Sequence, residues 1–441
     1  MNIKGMALIA AALSLAIAGC SKQAPAENTA ATTPAKVTTN PVEISLWTGY
    51  PELDPWFKIM TESYQKEHPN VKVNISSFPL KDFEKKISTA IPSNSAADII
   101  SVNPSLALRY VQTNMIQKAP DDLSAFVKSG IFPEVVVKDA VFNNAVYGIP
   151  HMMANAALFY NKKMFAEAGL TEPPKTMDQL VEYAKKLTKY DAAGKVERSG
   201  LSLRLTGGGS GVAEKFWVMQ LQNGGTFLKE VSPGKYKPDY NNESGLKTFQ
   251  MYVDMVHKYK TDDPVIKHDA EAFEMEKTAM LVRESWVIGD IKQKAPNLDY
   301  GTATLPAANI VVEKDFYVTN SAKGDKATAA WDFIRFLMEQ DNHKQQLTMT
   351  GWHPVRDDLK LDDVFKETPQ LISFFAKYNH LEVYPSIPEH DELQTKFADR
   401  LANKGFTDPS LVGNVDKMKA ILAEAEKETI EILKKAGHLA E

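Results

Sequence analysis

The chain contains a single cysteine, Cys20, so no disulfide can form within it. It also lacks a strong charge of either sign, because 51 Lys and Arg residues stand against 56 Asp and Glu residues, a formal net charge of −5. Beyond the N-terminal segment, no run approaches the ~20 apolar residues that span a bilayer. These absences argue against a disulfide-rich scaffold, a nucleic-acid-binding protein and a multispanning membrane protein.

Motifs for metal binding and catalysis are also missing. The nine histidines include no His-x-x-x-His pair, so we expect no zinc site. The glycines at 207–211 lack the ending of a phosphate loop, and no Gly-x-Ser-x-Gly elbow occurs. Glu389–Glu392 is interpreted as a solvated, charged loop. We expect no metal, no cofactor and no catalytic residue, although a carboxylate pair for glycoside hydrolysis depends on the fold.

The N-terminal segment predicts an exported and anchored protein. Lys4 precedes a short apolar run of small residues, Met6–Ala18, which fits the central region of a signal peptide. Ile17-Ala18-Gly19-Cys20 resembles a bacterial lipobox, so we expect residues 1–19 to be removed and Cys20 to be lipidated. A plain signal peptide is the alternative. Residues 20–41, rich in Ala, Thr, Pro and Lys, predict a disordered tether.

The first part of the folded chain alternates between strand and helix patterns. Strands and intervening helices are predicted, in order, at Val42–Trp47, Trp56–Lys66, Val71–Ile75, Lys81–Ala90 and Asp98–Val102. This order predicts a mostly parallel sheet, whose ligands bind at the carboxyl ends of the strands. The loops at those ends are Trp47–Pro51 and Asn103–Ser105.

Tyr147–Leu170 predicts a change of structural unit. Tyr147–Pro150 is interpreted as a hinge, followed by a polar, Met-rich patch, His151–Asn155, and a new strand. Further crossings are predicted near Ala303–Pro306 and Gly351–Val355. The chain is therefore predicted to be an α/β protein with a cleft between two lobes. Residues 42–150 and about 305–350 form the expected N-lobe, and residues 151–304 and about 351–441 form the expected C-lobe.

Several separated motifs support this interpretation by their order and spacing. They are Trp47-Thr48-Gly49, Phe83-x-x-Lys86-Ile87, Ala97-Asp98-Ile99-Ile100, Tyr147-Gly148-Ile149-Pro150, Tyr160-Asn161-Lys162, Lys277-Thr278-Ala279-Met280 with Trp286, Ala329–Ile334 and Pro385-Ser386-Ile387-Pro388. Together, behind a lipobox, they resemble the family 1 extracellular solute-binding proteins, the sugar-binding proteins of bacterial ABC importers, over Val42–Gly437. The resemblance implies a two-lobed periplasmic-binding-protein fold of the class II type, a carbohydrate ligand and an ABC permease partner.

The chain departs from the family pattern where relatives contact ligand. Glu276 stands in place of a usual glycine, and Arg283-Glu284-Ser285-Trp286 replaces an "nGpW" turn. His151–Asn155 lacks the acidic residue that often follows the hinge. We therefore expect His151–Asn155 to determine which ligand is chosen.

A sugar site needs aromatic faces for the apolar side of a pyranose and polar groups for its hydroxyls. The predicted ligand-binding residues are Trp47, Thr48, Tyr50, Asp82, Asn103, His151, Asn155, Trp217, Arg283, Glu284, Trp286, Trp352 and Tyr384. Core packing is an equal alternative for Trp217 and Trp286, and Tyr384 could be a buried tyrosine with a satisfied hydroxyl. Glu84 is interpreted at least equally as a charge partner of a helix N-terminus.

The sequence does not decide between a neutral and an anionic ligand. If Arg204, Arg283 and His151 face the cleft, an acidic sugar or a phosphorylated polyol becomes the predicted ligand. A secreted glycan-degrading enzyme and a structural surface lipoprotein are the rival classes. We prefer a monomeric, non-enzymatic binding lipoprotein of the cell envelope, because it explains the anchor, the tether, the crossings and the missing catalytic motifs together.

Overall fold

The structure is a computed structural model that describes residues 40–206, 210–266, 269–378 and 380–441. The expected signal peptide, Cys20, most of the expected tether and the glycines at 207–209 lie outside these residues. In the described ranges, no helix is both long enough and apolar enough to cross a membrane.

The strands form a large sheet, a small sheet and three hairpins. In chain order they are β1 (Val42–Thr48), β2 (Val71–Ser77), β3 (Ile99–Val102), β4 (Val141–Phe142), β5 (Ala145–Val146), β6 (Ile149–Ala154), β7 (Ala156–Asn161), β8 (Lys189–Tyr190), β9 (Val196–Arg198), β10 (Leu228–Ser232), β11 (Lys235–Pro238), β12 (Met280–Glu284), β13 (Tyr300–Ala303), β14 (Asn309–Val318) and β15 (Leu381–Val383). The large sheet has the order β15-β14-β3-β1-β2, with β6 also paired to β14. The small sheet, β12-β7-β13, is antiparallel. The hairpins are β4–β5, β8–β9 and β10–β11.

Helices cover these sheets. They are α1 (Asp54–Glu67), α2 (Leu80–Ala90), α3 (Pro104–Gln112), α4 (Asp121–Val127), α5 (Glu134–Ala140), α6 (Lys162–Glu167), α7 (Met177–Leu187), α8 (Gly211–Leu221), α9 (Glu243–Val253), α10 (Asp269–Glu274), α11 (Trp286–Lys294), α12 (Asp325–Leu337), α13 (Gln340–Thr350), α14 (Asp362–Glu367), α15 (His390–Arg400) and α16 (Val415–Ala436). α9 and α15 continue into π-helical turns, Asp254–Lys258 and Leu401–Gly405. As its apolar 3-4 spacing predicts, α16 buries one face, and it packs against α9 and α15.

The predicted parallel unit at the start of the chain is confirmed. β1 pairs in parallel with β2 on one side and with β3 on the other. Ile44 and Leu46 alternate with more exposed residues along β1 and are completely buried, as a strand of period two requires. The carboxyl ends of β1 and β3 lie side by side, because Thr48 pairs with Ser101. The loops after both strands are thereby brought together.

The chain passes from the large sheet to the small sheet at Asn155, not at Tyr147–Pro150. β6 pairs with β14 of the large sheet, and β7 pairs with β12 and β13. The predicted hinge and most of the predicted polar patch therefore belong to β6, and the boundary expected after Pro150 falls inside this strand. His151 is completely buried there, so its polar side chain did not indicate a loop.

β14 is much longer than its sequence pattern indicates. Only Phe316–Val318 is predicted as a strand, whereas β14 includes the charged triplet Glu313-Lys314-Asp315. All of its residues are buried, because β3, β6 and β15 pair along its length. A charged triplet usually indicates an exposed loop. Here it lies inside a covered strand.

The predicted crossing Gly351–Val355 contacts elements of both sheets. α13 ends at Gly351, whose φ is +76°, a backbone conformation that favours glycine. A Cβ at this position would lie 2.6 Å from the carbonyl oxygen of Ser285, just after β12. Two residues later, the His353 carbonyl accepts a hydrogen bond of 2.9 Å from the Met153 N–H of β6. Trp352 is thereby held between the residue that follows β12 and strand β6.

Candidate ligand-binding site

A cavity of about 490 Å³, here called the first chamber, lies between loops of the large sheet and elements around the small sheet. One wall comes from residues after β1 and β3 and from β14, and the other comes from the end of β12 and from α8, α11 and α15. Its lining includes Tyr50, Glu52, Glu84, Asn103, Asn155, Arg204, Glu214, Arg283, Glu284, Trp286, Lys314, Trp352, Tyr384 and Asp391. The position at strand ends and a volume within the usual ~300–1,000 Å³ indicate a small-molecule site.

Two aromatic side chains form part of the wall beside β1. The rings of Tyr50 and Trp352 pack edge to face, with centroids 5.7 Å apart. The Trp352 indole N–H donates to Glu52 at 3.2 Å, and the Tyr50 hydroxyl donates to Asn103 at 3.2 Å. These hydrogen bonds fix the polar ends of both rings, so their orientation is set before a ligand arrives.

Trp286 occupies the opposite wall, at the first position of α11. Its indole N–H donates to Glu284 at 3.1 Å. The guanidinium carbon of Arg283 lies 4.9 Å from the centroid of its ring, a cation–π distance. Trp286 is only half-buried while these two neighbours hold it. It therefore offers a rigid apolar surface to the cavity.

Tyr384 is also held by a hydrogen bond and by ring contacts on the side away from the chamber. Its hydroxyl donates to Glu214 on α8. Trp217, one turn further along α8, stacks on the Tyr384 ring with centroids 5.7 Å apart, and the ring of His390 lies 4.3 Å away. The Trp217 N–H donates to Thr226 at 2.9 Å. Trp217 thus supports a residue of the chamber and does not line it.

A buried ionic network underlies this wall. The Lys215 ammonium bonds to the carboxylates of Glu214 and Glu284. Arg283 binds Asp269 through two hydrogen bonds of 2.7 and 2.9 Å and binds Glu284 at 3.1 Å. Burial alone would raise the pKa of Glu284, but Lys215 and Arg283 hold that pKa well below its ordinary value. The charge of Arg283 is therefore already matched within the protein.

Several polar groups at the chamber keep unused hydrogen-bonding capacity. The Arg204 Nε and the Asn155 Oδ1 are buried and have no hydrogen-bond partner among the described residues, whereas the Asn155 Nδ2 donates to the Phe374 carbonyl at 2.6 Å. The Lys314 ammonium is buried and lies 3.3 Å from the carbonyl of Glu313. Burial lowers the pKa of Lys314 to about 8. The chamber therefore offers both donors and an acceptor.

Two carboxyl groups of the chamber, those of Glu84 and Asp391, interact electrostatically with Lys314. Burial, and then the negative charge of Asp391, raise the pKa of Glu84 from 4.5 to about 7. Burial also raises the pKa of Asp391, and Lys314 opposes the shift in both groups. These groups share one electrostatic environment.

The Glu84 carboxyl should titrate near pH 7, and replacing Asp391 with asparagine should lower the Glu84 pKa because a neighbouring negative charge is removed. The pH dependence of side-chain carboxyl ¹³C shifts, measured by NMR, gives this pKa directly. Asp82→Asn, on the exposed side of the same helix, serves as the control and should leave it unchanged. Titration of Glu84 near pH 4.5 in the wild type would contradict this environment.

Comparison with known proteins places the chain in a family. A family model described as bacterial extracellular solute-binding protein matches residues 60–372, well over half of the chain. The chain belongs to this family. The resemblance seen in its separated motifs is thereby confirmed.

Relatives of this solute-binding protein align over most of its length. A binding protein of Brucella abortus (strain 2308) is 24% identical over 382 residues, which cover 83% of this chain and 90% of the relative. A galactooligosaccharide-binding protein of Bacillus subtilis (strain 168) is 21% identical over 409 residues, which cover 88% of this chain and 89% of the relative.

A solved structure shows the fold of this solute-binding protein. An ABC substrate-binding protein from Listeria monocytogenes, in complex with cycloalternan, has a TM-score of 0.74 at 18% identity and covers 90% of this chain and 100% of that chain. This similarity confirms the predicted α/β, two-lobed periplasmic-binding-protein fold.

The chamber of this solute-binding protein brings together eight of the thirteen predicted site residues, which are Tyr50, Asn103, Asn155, Arg283, Glu284, Trp286, Trp352 and Tyr384. Besides Trp217 and His151, the residues outside its lining are Trp47, Thr48 and Asp82. Trp47 packs against Phe78, and the Lys86 ammonium lies 4.2 Å from its ring centroid. Thr48 is buried and accepts the N–H of Tyr50 at 3.2 Å, and Asp82 is exposed on α2. Thr48 thus supports the loop that carries Tyr50.

His151 lies in the core of the large sheet. Its Nε2 is 2.8 Å from the Ser101 hydroxyl, and its ring stacks on Phe316 with centroids 3.8 Å apart. Burial lowers the pKa of His151 well below its ordinary value, so the ring is neutral. This placement corrects the expectation that His151 faces the cleft. Of the patch His151–Asn155, Ala154 and Asn155 line the chamber.

Sequence reasoning missed Glu214, Lys314 and Asp391. Asp391 lies in the run interpreted as a solvated loop, but this run begins α15 and Asp391 lines the chamber. Glu214 and Lys215 are a charged pair in an otherwise apolar helix, which is a signal of a buried ionic site. Among the described residues, no group of three or more His, Cys, Asp or Glu side chains is arranged to hold a metal ion.

Proposed function

We propose that this solute-binding protein captures a neutral carbohydrate, in particular an oligosaccharide, for an ABC importer. The main support for this proposal is a chamber with fixed aromatic rings on opposite walls and with cations matched by carboxylates. Aromatic faces pack on the apolar C–H faces of pyranoses. Unused donors and acceptors suit hydroxyl groups, each of which donates and accepts. The relatives named for galactooligosaccharide and solved with cycloalternan support this choice.

A neutral ligand is favoured over an acidic sugar or a phosphorylated polyol. Arg283, the main cation expected to meet an anion, is bound by Asp269 and Glu284. Glu84 and Asp391 add carboxyl groups close to Lys314. An anionic ligand would approach these carboxyl groups, and like charges in a partly buried site oppose binding.

The proposed mechanism is closure of two lobes around the ligand. In this proposal the lobes consist of residues 42–150 with about 305–350, and of residues 151–304 with about 351–441. We place the boundary near 150 at Asn155, because β6 pairs with the large sheet and β7 pairs with the small sheet. A ligand that contacts both walls stabilises the closed arrangement, which an ABC permease then recognises.

We further propose a monomer held at the cell envelope by lipidated Cys20, as the lipobox indicates. Extracellular solute-binding proteins act outside the cytoplasm, and a lipid anchor would keep this one near its permease. Fractionation of cells that express the wild type or Cys20→Ser tests the anchor, and equal amounts of both chains in the membrane fraction would contradict it.

The ligand assignment is tested by isothermal titration calorimetry of the purified full-length chain at pH 7. Neutral oligosaccharides should bind at least tenfold more tightly than uronate oligosaccharides of equal length, since the chamber has no excess positive charge to offer. Chromatography of the same samples should show the sugars unchanged, because the proposed role is binding without turnover. Tight binding of uronates alone, or hydrolysis, would contradict the proposal.

A further inference from the structure

Arg204 has a backbone conformation that an arginine does not favour. Its φ is +53°, in the left-handed region that residues other than glycine rarely adopt. Such strain opposes folding, and it persists mainly where the strained residue serves a function. Because Arg204 lines the first chamber, the strained backbone belongs to the candidate site itself.

The Arg204 guanidinium packs against Gly211, the first residue of α8. A Cβ at Gly211 would lie 2.2 Å from the Arg204 Nη2 and 2.3 Å from its Cζ. A side chain at position 211 would therefore displace the guanidinium. The φ of Gly211 is not positive, and alanine has the higher helix propensity, so α8 itself does not require glycine here. Gly211 thus leaves room for the guanidinium.

The N–H donors of this guanidinium are unused. Among the described residues, none accepts a hydrogen bond from the Arg204 side chain, and its Nε is buried. The nearby carboxylates already bond to other cations, since Asp269 accepts two hydrogen bonds from Arg283 and the Lys215 ammonium bonds to two further carboxylates. A buried donor without an acceptor is costly, so these donors indicate an acceptor that is supplied by a ligand.

The charge of Arg204 is nevertheless balanced. Three cations interact with three carboxylates in this region, and the six residues are Arg204, Lys215, Arg283, Glu214, Asp269 and Glu284. Burial, and then the charge of Arg283, lower the pKa of Arg204, whereas the three carboxylates oppose this shift. The guanidinium stays protonated at neutral pH. It therefore offers free donors without an excess of positive charge, which suits a neutral acceptor better than an anion.

We infer that Arg204 determines specificity by binding two adjacent hydroxyl oxygens of one sugar unit, so that a tightly bound ligand carries a free vicinal diol. This inference rests on the proposed function. A guanidinium presents its donors as a planar fork, which can bond two oxygens that lie side by side. Gauche hydroxyls on neighbouring ring carbons place two oxygens in this way. A ligand that lacks one of them leaves a buried donor unpaired, and such a ligand is strongly rejected.

The first test displaces the guanidinium in two independent ways. Arg204→Gly removes it, and Gly211→Ala fills the space that it occupies. Calorimetry at pH 7 compares the full-length wild type, both variants and the double variant with maltotriose and galactotriose, and thermal unfolding is measured for each chain. Lys260→Gly is the matched control, because Lys260 has a similar φ of +52°, is exposed and does not line the first chamber.

Arg204→Gly and Gly211→Ala should each weaken binding of the tighter trisaccharide by at least about tenfold, as the loss of hydrogen bonds to a charged group does. The double variant should bind no more weakly than Arg204→Gly, since both changes remove the same contact. Arg204→Gly should unfold at the wild-type temperature or above it, because glycine relieves the left-handed strain. Lys260→Gly should bind as the wild type does. A lower unfolding temperature for Arg204→Gly alone would assign Arg204 to the fold and overturn the inference.

Monodeoxy derivatives of the tighter trisaccharide test the diol. Two derivatives that each lack one hydroxyl of an adjacent pair should bind the wild type at least about tenfold more weakly than the parent sugar. Arg204→Gly should bind these derivatives and the parent sugar equally. A deoxy penalty that persists in Arg204→Gly, or equal binding of the parent sugar by Arg204→Gly and the wild type, would overturn this role and leave the proposed function standing. Failure of every neutral oligosaccharide to bind the wild type would remove the proposed function, and this inference with it.

Discussion

Lys215→Met should lower the free energy of unfolding by about 3–5 kcal/mol, because removal of one partner of a buried ion pair leaves an uncompensated buried charge. Lys215 is 3% exposed, and its ammonium lies between the carboxylates of Glu214 and Glu284. Methionine retains most of the aliphatic chain and none of the charge, so the loss reports the ionic network more than packing. Guanidinium chloride unfolding at pH 7, followed by tryptophan fluorescence, measures the change.

Lys175→Met is the matched control. Lys175 pairs with Glu172 at 2.6 Å, but the two side chains are 72% and 64% exposed. The loss of such a solvent-screened surface pair should leave the free energy of unfolding close to that of the wild type. Equal losses in the two variants would show that the Lys215 network is as well solvated as a surface pair, and the description of this wall as buried and rigid would then be wrong.

Trp286→Ala should weaken binding of a neutral oligosaccharide by about 30- to 150-fold, the loss of about 2–3 kcal/mol that a buried aromatic contact at a binding site typically causes. Trp286 lines the first chamber and is held by Glu284 and Arg283. Because its ring is only half-buried in the protein, the substitution should remove ligand contact without opening the core. Calorimetry at pH 7 measures the affinity.

Trp47→Ala controls for the loss of a partly exposed tryptophan. Trp47 packs against Phe78 and Lys86 and does not line the first chamber. It should leave the affinity within about threefold of the wild type, a difference well below 1.4 kcal/mol. Thermal unfolding of both variants separates a binding effect from a folding effect. A Trp286 variant that binds as tightly as the Trp47 variant would exclude Trp286 from the ligand contact.

The site residues that the sequence predicted correctly have a common position, just beyond the ends of helices and strands. β1 follows the alternating pattern of a strand and β3 is a short apolar run. Because ligands bind where parallel strands end, Tyr50 and Asn103 could be chosen from local pattern alone. Trp286 is predicted from its position in the family pattern. Trp352 is predicted because it directly follows a glycine at a chain crossing. Each of these residues lies just beyond the end of a regular element, where the backbone pattern changes visibly in the sequence.

The residues that sequence reasoning missed are buried by elements that are distant from them in the sequence. His151 lies in β6, which pairs with β14, and Lys314 lies in β14, which pairs with both β3 and β6. Such pairing is not visible in a local window of the sequence. A buried histidine and a buried lysine therefore have the same local appearance as loop residues, although one packs in the core and the other lines the first chamber. The charged run around Asp391 was interpreted as a loop for the same reason. Burial of a charge is decided by its neighbours in space, not by those in sequence.

The proposed function requires that a neutral oligosaccharide lies between the aromatic walls of a charge-balanced cleft. A crystal structure of the chain with the tightest-binding neutral oligosaccharide tests this claim most directly. We predict sugar rings against Trp286 on one wall and against Tyr50 or Trp352 on the other, with hydroxyls bonded to Asn155 and Asp391. A sugar bound outside the lining of the first chamber, or one contacted by only one wall, would contradict this prediction.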